Sequence, residues 1–98
     1  MRFTATAYAQ EGTTASGART IEGWTVAADP AVLPLGTKIQ VRDAGAYSGT
    51  YIVRDSGAKV NGRQIDIYMK SAAEAKEFGK KEVRIRILKR AAVTTASR

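Results

Sequence analysis

Cysteine and histidine are both missing from this sequence. Their absence rules out a thiol nucleophile, a disulfide, a Ser-His-Asp triad and any zinc site built on His or Cys. Proton transfer would fall to Asp, Glu, Lys or Tyr. Long apolar runs are missing too. Nothing approaches the roughly 18 residues of a membrane span, so no stable membrane insertion is expected. Met1 leads directly into RFTATAY, with no basic stretch and apolar core ahead of it, so no signal peptide is expected. On that basis the chain is either not secreted or a mature domain with an added Met. Acidic residues are scarce: nine Asp and Glu against sixteen Lys and Arg, a formal charge of +7. A basic domain attracts polyanions such as nucleic acid, anionic lipid or cell-wall polymer. The basic residues are scattered except at Lys80-Lys81 and in KRAAVTTASR, so much of the charge reads as solvated surface. The aromatics are spread along the chain and form no stacking stripe, which argues against nucleic acid as the partner.

With 98 residues the chain can build one core but not two. FTATAY (3–8) alternates Phe3, Ala5 and Ala7 with Thr4, Thr6 and Tyr8, the period of a strand. AQEGTTASGART has no period and reads as a loop. WTVAA (24–28) is a short strand ended by Asp29-Pro30, because Pro disfavours helix at the residue before it. Pro34 and Gly36 make a turn, and TKIQV (37–41) alternates again. TYIVR (50–54) and QIDIYM (64–69) follow as strands, separated by a loop with an Asn-Gly pair. Ser71 and Glu74 form a capping box, AAEAKEF favours helix, and Gly79 supplies the stop. EVRIRIL (82–88) puts Val83, Ile85 and Ile87 on one face and Arg84 and Arg86 on the other. The tail from Lys89 has no pattern and is expected to fray. About six short strands and one helix predict a mainly β fold, a small barrel or sandwich.

Asp66 stands between Ile65 and Ile67, where an apolar residue would be cheaper. With the isoleucines in the core, it faces the other side of the strand. There it is either a solvated strand-face carboxylate, or one paired with Arg63, or a carboxyl held on rigid backbone for acid–base work. Asp55 precedes Ser-Gly and Asp29 precedes Pro; each can be a turn former or cap. Asp43, in RDAG, reads as plain turn chemistry. The hydroxyls of TTASG (13–17), among them Thr14 and Ser16, form a loop that is either solvated or a polar lip for sugar hydroxyls. Tyr8 and Trp24 end strands, where aromatics pack a rim or stack on a sugar ring.

Taken in order, ATAY, TTASG, AADPAVLPLGTKIQV, VRDSGAKVNGRQIDIYM and EAKEFGKKEVRIRIL resemble the three-aspartate (3D) domain family over residues 5 to 88. The resemblance implies one domain over residues 1–88, a six-stranded double-psi β-barrel with one short helix, and a flexible tail over 89–98. It implies kinship with the catalytic domain of membrane-bound lytic transglycosylase A, hence cleavage of the MurNAc–GlcNAc bond of peptidoglycan to 1,6-anhydro ends, outside the cytoplasm or in the cell wall. By that resemblance Asp66 is the catalytic residue, Asp55 its partner carboxylate, and Asp29 a builder of the site. Tyr8, Thr14, Ser16, Lys59 and Arg63 would contact substrate. No metal or cofactor is called for. The chain departs from the family pattern at Ser56 (for Thr), Ala58 (for Gly), Lys59 (a displaced lysine) and Met69-Lys70 (for Phe-Asp). Some barrels of this architecture bind polysaccharide with little cleavage, so a non-catalytic wall-binding module is the alternative.

Overall fold

A computed structural model describes residues 1–9, 25–56 and 60–90. The TTASG loop, Trp24, Ala58 and Lys59 lie outside the described residues, as does the expected tail beyond Arg90; Lys89, expected to begin that tail, instead closes the last strand. The strands are β1 Arg2–Tyr8, β2 Thr25–Ala28, β3 Lys38–Arg42, β4 Gly49–Asp55, β5 Gln64–Tyr68 and β6 Lys81–Lys89. One helix, α1 Ala72–Phe78, lies between β5 and β6, and a short 3-10 turn, Gly45–Tyr47, precedes β4.

The six strands close into a barrel in the order β1-β5-β2-β4-β3-β6. Two ladders are parallel, β1 with β5 and β2 with β4. The other four are antiparallel. Parallel neighbours cannot be joined by a hairpin and need a long crossover. The two parallel pairs therefore accord with the crossing loops of a double-psi barrel.

Alternation along each strand places the core. Phe3 and Ala5 of β1, Ile39 and Val41 of β3, Ile65 and Ile67 of β5, and Val83 and Ile85 of β6 point inward and are buried. Leu33, Met69 and Phe78 of α1 complete the packing. Arg84 and Arg86 stay outside, as the period of β6 predicts, but Ile87 is only partly buried. It pairs with Ile39 where the β3–β6 register slips, so the ladder covers it less completely.

The helix follows its caps. Ser71 Oγ accepts from the amides of Ala73 and Glu74, at 3.1 and 3.3 Å. Gly79, with φ +67°, ends the helix in a conformation that costs glycine little. Asp43 also has positive φ, 69°, which a short polar residue tolerates, and its carboxylate takes Arg84 Nε at 2.7 Å.

Candidate active site

The parallel β1–β5 ladder sets Thr6 opposite Asp66 and Tyr8 opposite Tyr68, on the side of the sheet turned away from Ile65 and Ile67. On the other flank of β5, Ala27 of β2 is the partner of Asp66. Ala27 is also the partner of Asp55. One row therefore crosses four strands: Thr6, Asp66, Ala27, Asp55. A single methyl separates the two acidic positions.

Asp55 reaches that row through a bulge. Val26 pairs with Val53, yet the next residue of β2, Ala27, pairs with Asp55, so Arg54 is an extra residue on β4. Val53 is buried. Strict alternation would then return Asp55 to the core side; the inserted Arg54 turns it outward instead. Bulges of this kind re-aim side chains beside functional sites. Asp55 Oδ1 accepts the amide of Ser56 at 2.9 Å.

Asp66 is partly buried, and its carboxyl pKa is raised. Loss of water is the main cause. The charge of Asp55 adds a smaller push in the same direction. Thr6 opposes both: its hydroxyl donates to Asp66 Oδ1 at 3.0 Å, which favours the ionised form. Arg63 is exposed and makes no salt bridge to Asp66 among the described residues; its carbonyl accepts the amide of Thr4 at 3.0 Å.

Tyr8 and Tyr68 meet edge to face, ring centres 5.6 Å apart. Tyr68 lies on the same side of β5 as Asp66 and is buried against Tyr8. The Tyr8 hydroxyl is buried and has no hydrogen-bond partner among the described residues. Burial, then the nearby carboxylates of Asp55 and Asp66, push its pKa up, so it stays protonated. It is a donor held beside two carboxyl groups.

Asp29 plays a different part. Its Oδ1 accepts Ala31 N at 3.0 Å and its Oδ2 accepts Gly62 N at 2.8 Å. These two amides hold its pKa below the usual carboxylate value, that of Gly62 most of all. With both oxygens occupied by backbone, the carboxylate ties the turn after β2 to the loop that launches β5. Among the described residues no group of three carboxylates gathers as metal ligands would. The structure thus brings Asp55, Asp66 and Tyr8 together and makes Asp29 a brace. Thr6, which sequence reasoning did not single out, touches the central carboxyl directly.

The sequence profile of the 3D domain matches residues 24–89. The cell wall-binding protein YocH of Bacillus subtilis is 32% identical over 96 residues, covering 90% of this chain and 32% of YocH. The prophage-derived protein YorM of the same organism is 40% identical over 60 residues, covering 61% of this chain and 25% of YorM. The chain therefore spans a third or less of these relatives' length. Among solved structures, Escherichia coli MltA superposes with a TM-score of 0.68 at 21% identity, covering 84% of this chain and 28% of MltA. The lytic transglycosylase LtgG of Burkholderia pseudomallei gives 0.64 at 20% identity, with 79% and 26% covered. Identity this low speaks for a shared fold only. The profile match over two thirds of the residues, with the aspartates in their expected blocks, places the chain in the 3D domain family.

Proposed function

We propose that this domain acts on peptidoglycan as a lytic transglycosylase, with Asp66 as acid and then base. The observation that carries the reading is Asp66 itself: a partly buried carboxyl on a rigid strand, its pKa raised, in one row with a second carboxyl. The relatives favour the same substrate class. YocH is described as cell wall-binding, and one MltA structure of this fold holds chitohexaose.

An ordinary glycosidase needs two carboxyls because water is its final nucleophile. In the lytic route the substrate's own C6 hydroxyl attacks C1, and one residue can serve twice. Protonated Asp66 gives its proton to the glycosidic oxygen as the C1–O bond breaks. The resulting carboxylate then takes the proton from O6 as O6 bonds to C1. The anhydro ring closes and Asp66 regains its proton. Asp55 stabilises the positive charge that grows on C1. Donation near neutral pH requires a raised pKa, which burial of Asp66 supplies. Tyr8, packed beside the two carboxyls and partly exposed, is assigned to the rim that meets the sugar. Arg63, exposed ahead of β5, and Thr14, Ser16 and Lys59 are the remaining contacts we assign to substrate.

The name of YocH favours a second reading, a wall-binding module without cleavage. Digesting purified peptidoglycan and looking for anhydro-muropeptides by mass spectrometry separates the two. Anhydro ends that vanish in Asp66→Asn support the enzyme. Binding with no anhydro product from the wild type would leave the module.

A further inference from the structure

The carboxyl row lies on β1, β5, β2 and β4. The remaining arc of the barrel, β1-β6-β3, carries a row of the opposite sign. Arg84 on β6 stands opposite Arg2 on β1 and opposite Arg42 on β3. Three arginines therefore sit side by side across three strands, each one ladder step of about 4.8 Å from the next. Further along β6, Arg86 faces Gln40 and Lys89 faces Lys38. Arg2, Lys38, Arg42, Arg84, Arg86 and Lys89 are all exposed.

Like charges directly opposed on a ladder cost stability. Internal pairing relieves part of that cost: Asp43 takes Arg84 at 2.7 Å and Glu82 takes Arg2 at 3.6 Å. Arg42 and Arg86, with Lys38 and Lys89, have no salt bridge among the described residues. A cleft of about 300 Å³ opens on this surface, lined by Met1, Arg42, Arg84, Ile85 and Arg86. Among the described residues no aromatic ring lines it, so these residues offer nothing on which a base could stack.

We propose that this face is a second binding surface, for a linear polyol-phosphate polymer whose charges lie on its backbone. Guanidinium groups take phosphate oxygens in bidentate pairs. Arg42 and Arg86, with Lys38 and Lys89 along the same two strands, call for a ligand with closely spaced anionic charges. A peptidoglycan strand carries its acids on side branches, one set per disaccharide, and is too sparse to fill the row. Because the two rows lie on different arcs, both polymers can be held at once. This site stands independently of the proposed cleavage.

Binding of polyglycerol phosphate to the intact domain, titrated over a range of salt, tests the proposal. Wild type should bind at low salt and release progressively as salt rises. The double variant Arg42→Gln, Arg86→Gln should bind about tenfold more weakly at about 50 mM salt, with a salt slope shallower by about two, one per lost phosphate contact. Asp66→Asn should bind polyglycerol phosphate like wild type. The double variant should keep its wild-type circular dichroism and its affinity for peptidoglycan stripped of other polymers. Four results would overturn the proposal: an unchanged affinity in the double variant, equal affinity of wild type for polygalacturonate, tighter binding to single-stranded DNA of equal charge, or loss of stripped-peptidoglycan binding along with the polyphosphate.

Discussion

Asp66 sits in a three-way balance. Burial and Asp55 favour its protonated form, and Thr6 favours the ionised one. A carboxyl whose pKa is raised by folding stabilises the fold below its unfolded value of 3.8, and that contribution is lost as pH rises through the folded value. Above that folded value, ionised Asp66 works against the fold. We expect Asp66→Asn to melt higher than wild type at pH 7, with the difference closing below about pH 4. The same variant should cut anhydro product by about 10²–10⁴-fold, because it cannot move the proton. The partners should act in opposite directions on the pH profile. Thr6→Val removes the bond that favours the carboxylate and should extend activity to higher pH. Asp55→Asn removes the repulsion and should pull the same limb to lower pH. Profiles that move together would break the assignment of Asp66 as the acid. Asp66 announced itself in the sequence, as an acid between two isoleucines. Thr6 did not, because its partner lies 60 residues away across a parallel ladder and leaves no local trace.

At the scale of elements, the bulge in β4 decides where Asp55 points. Deleting Arg54 removes the bulge and the added bend and twist it gives β4, and should displace Asp55 from its place beside Asp66 and lower cleavage sharply. Arg54→Ala keeps the extra residue and should lower the rate far less; comparing the two on purified peptidoglycan checks the role of the bulge. The helix is simpler. Ser71→Ala removes the acceptor for two amides and should cost about 1 kcal/mol, or roughly 4–8 °C in melting temperature for a domain this small. The cap was legible because Ser71, Glu74 and Gly79 are close together in sequence. All six strands were legible from their period to within a residue or two at the ends. The bulge was not: VRDSG carries no mark that one residue will be unpaired, since that depends on which strand lies alongside. The bond from Asp29 to Gly62 spans 33 residues and was hidden for the same reason.

Around the ring, Asp55 and Asp66 share one arc, and Arg2, Arg42, Arg84 and Arg86 gather on another. Composition gave the net charge but not this segregation, which exists only once β6 lies between β1 and β3. The strand order also bears on how the chain can fold. β1 is the first strand to be made, yet its two neighbours, β5 and β6, are the last. Phe3 waits for Val83, and Thr6 for Asp66. Until the ribosome has released most of the chain, β1 has nothing to pair with and Phe3 stays in water. Closure of the ring is then a late, nonlocal step of the kind that slows β proteins to milliseconds or seconds. A chain stopped after Lys80 lacks the strand that bridges β1 and β3, and it should give a disordered far-ultraviolet spectrum with no cooperative melt. A nascent chain of this domain should therefore remain open to chaperones or proteases until its final strand emerges, and the row of Thr6, Asp66, Ala27 and Asp55 is fixed in place only when the ring closes.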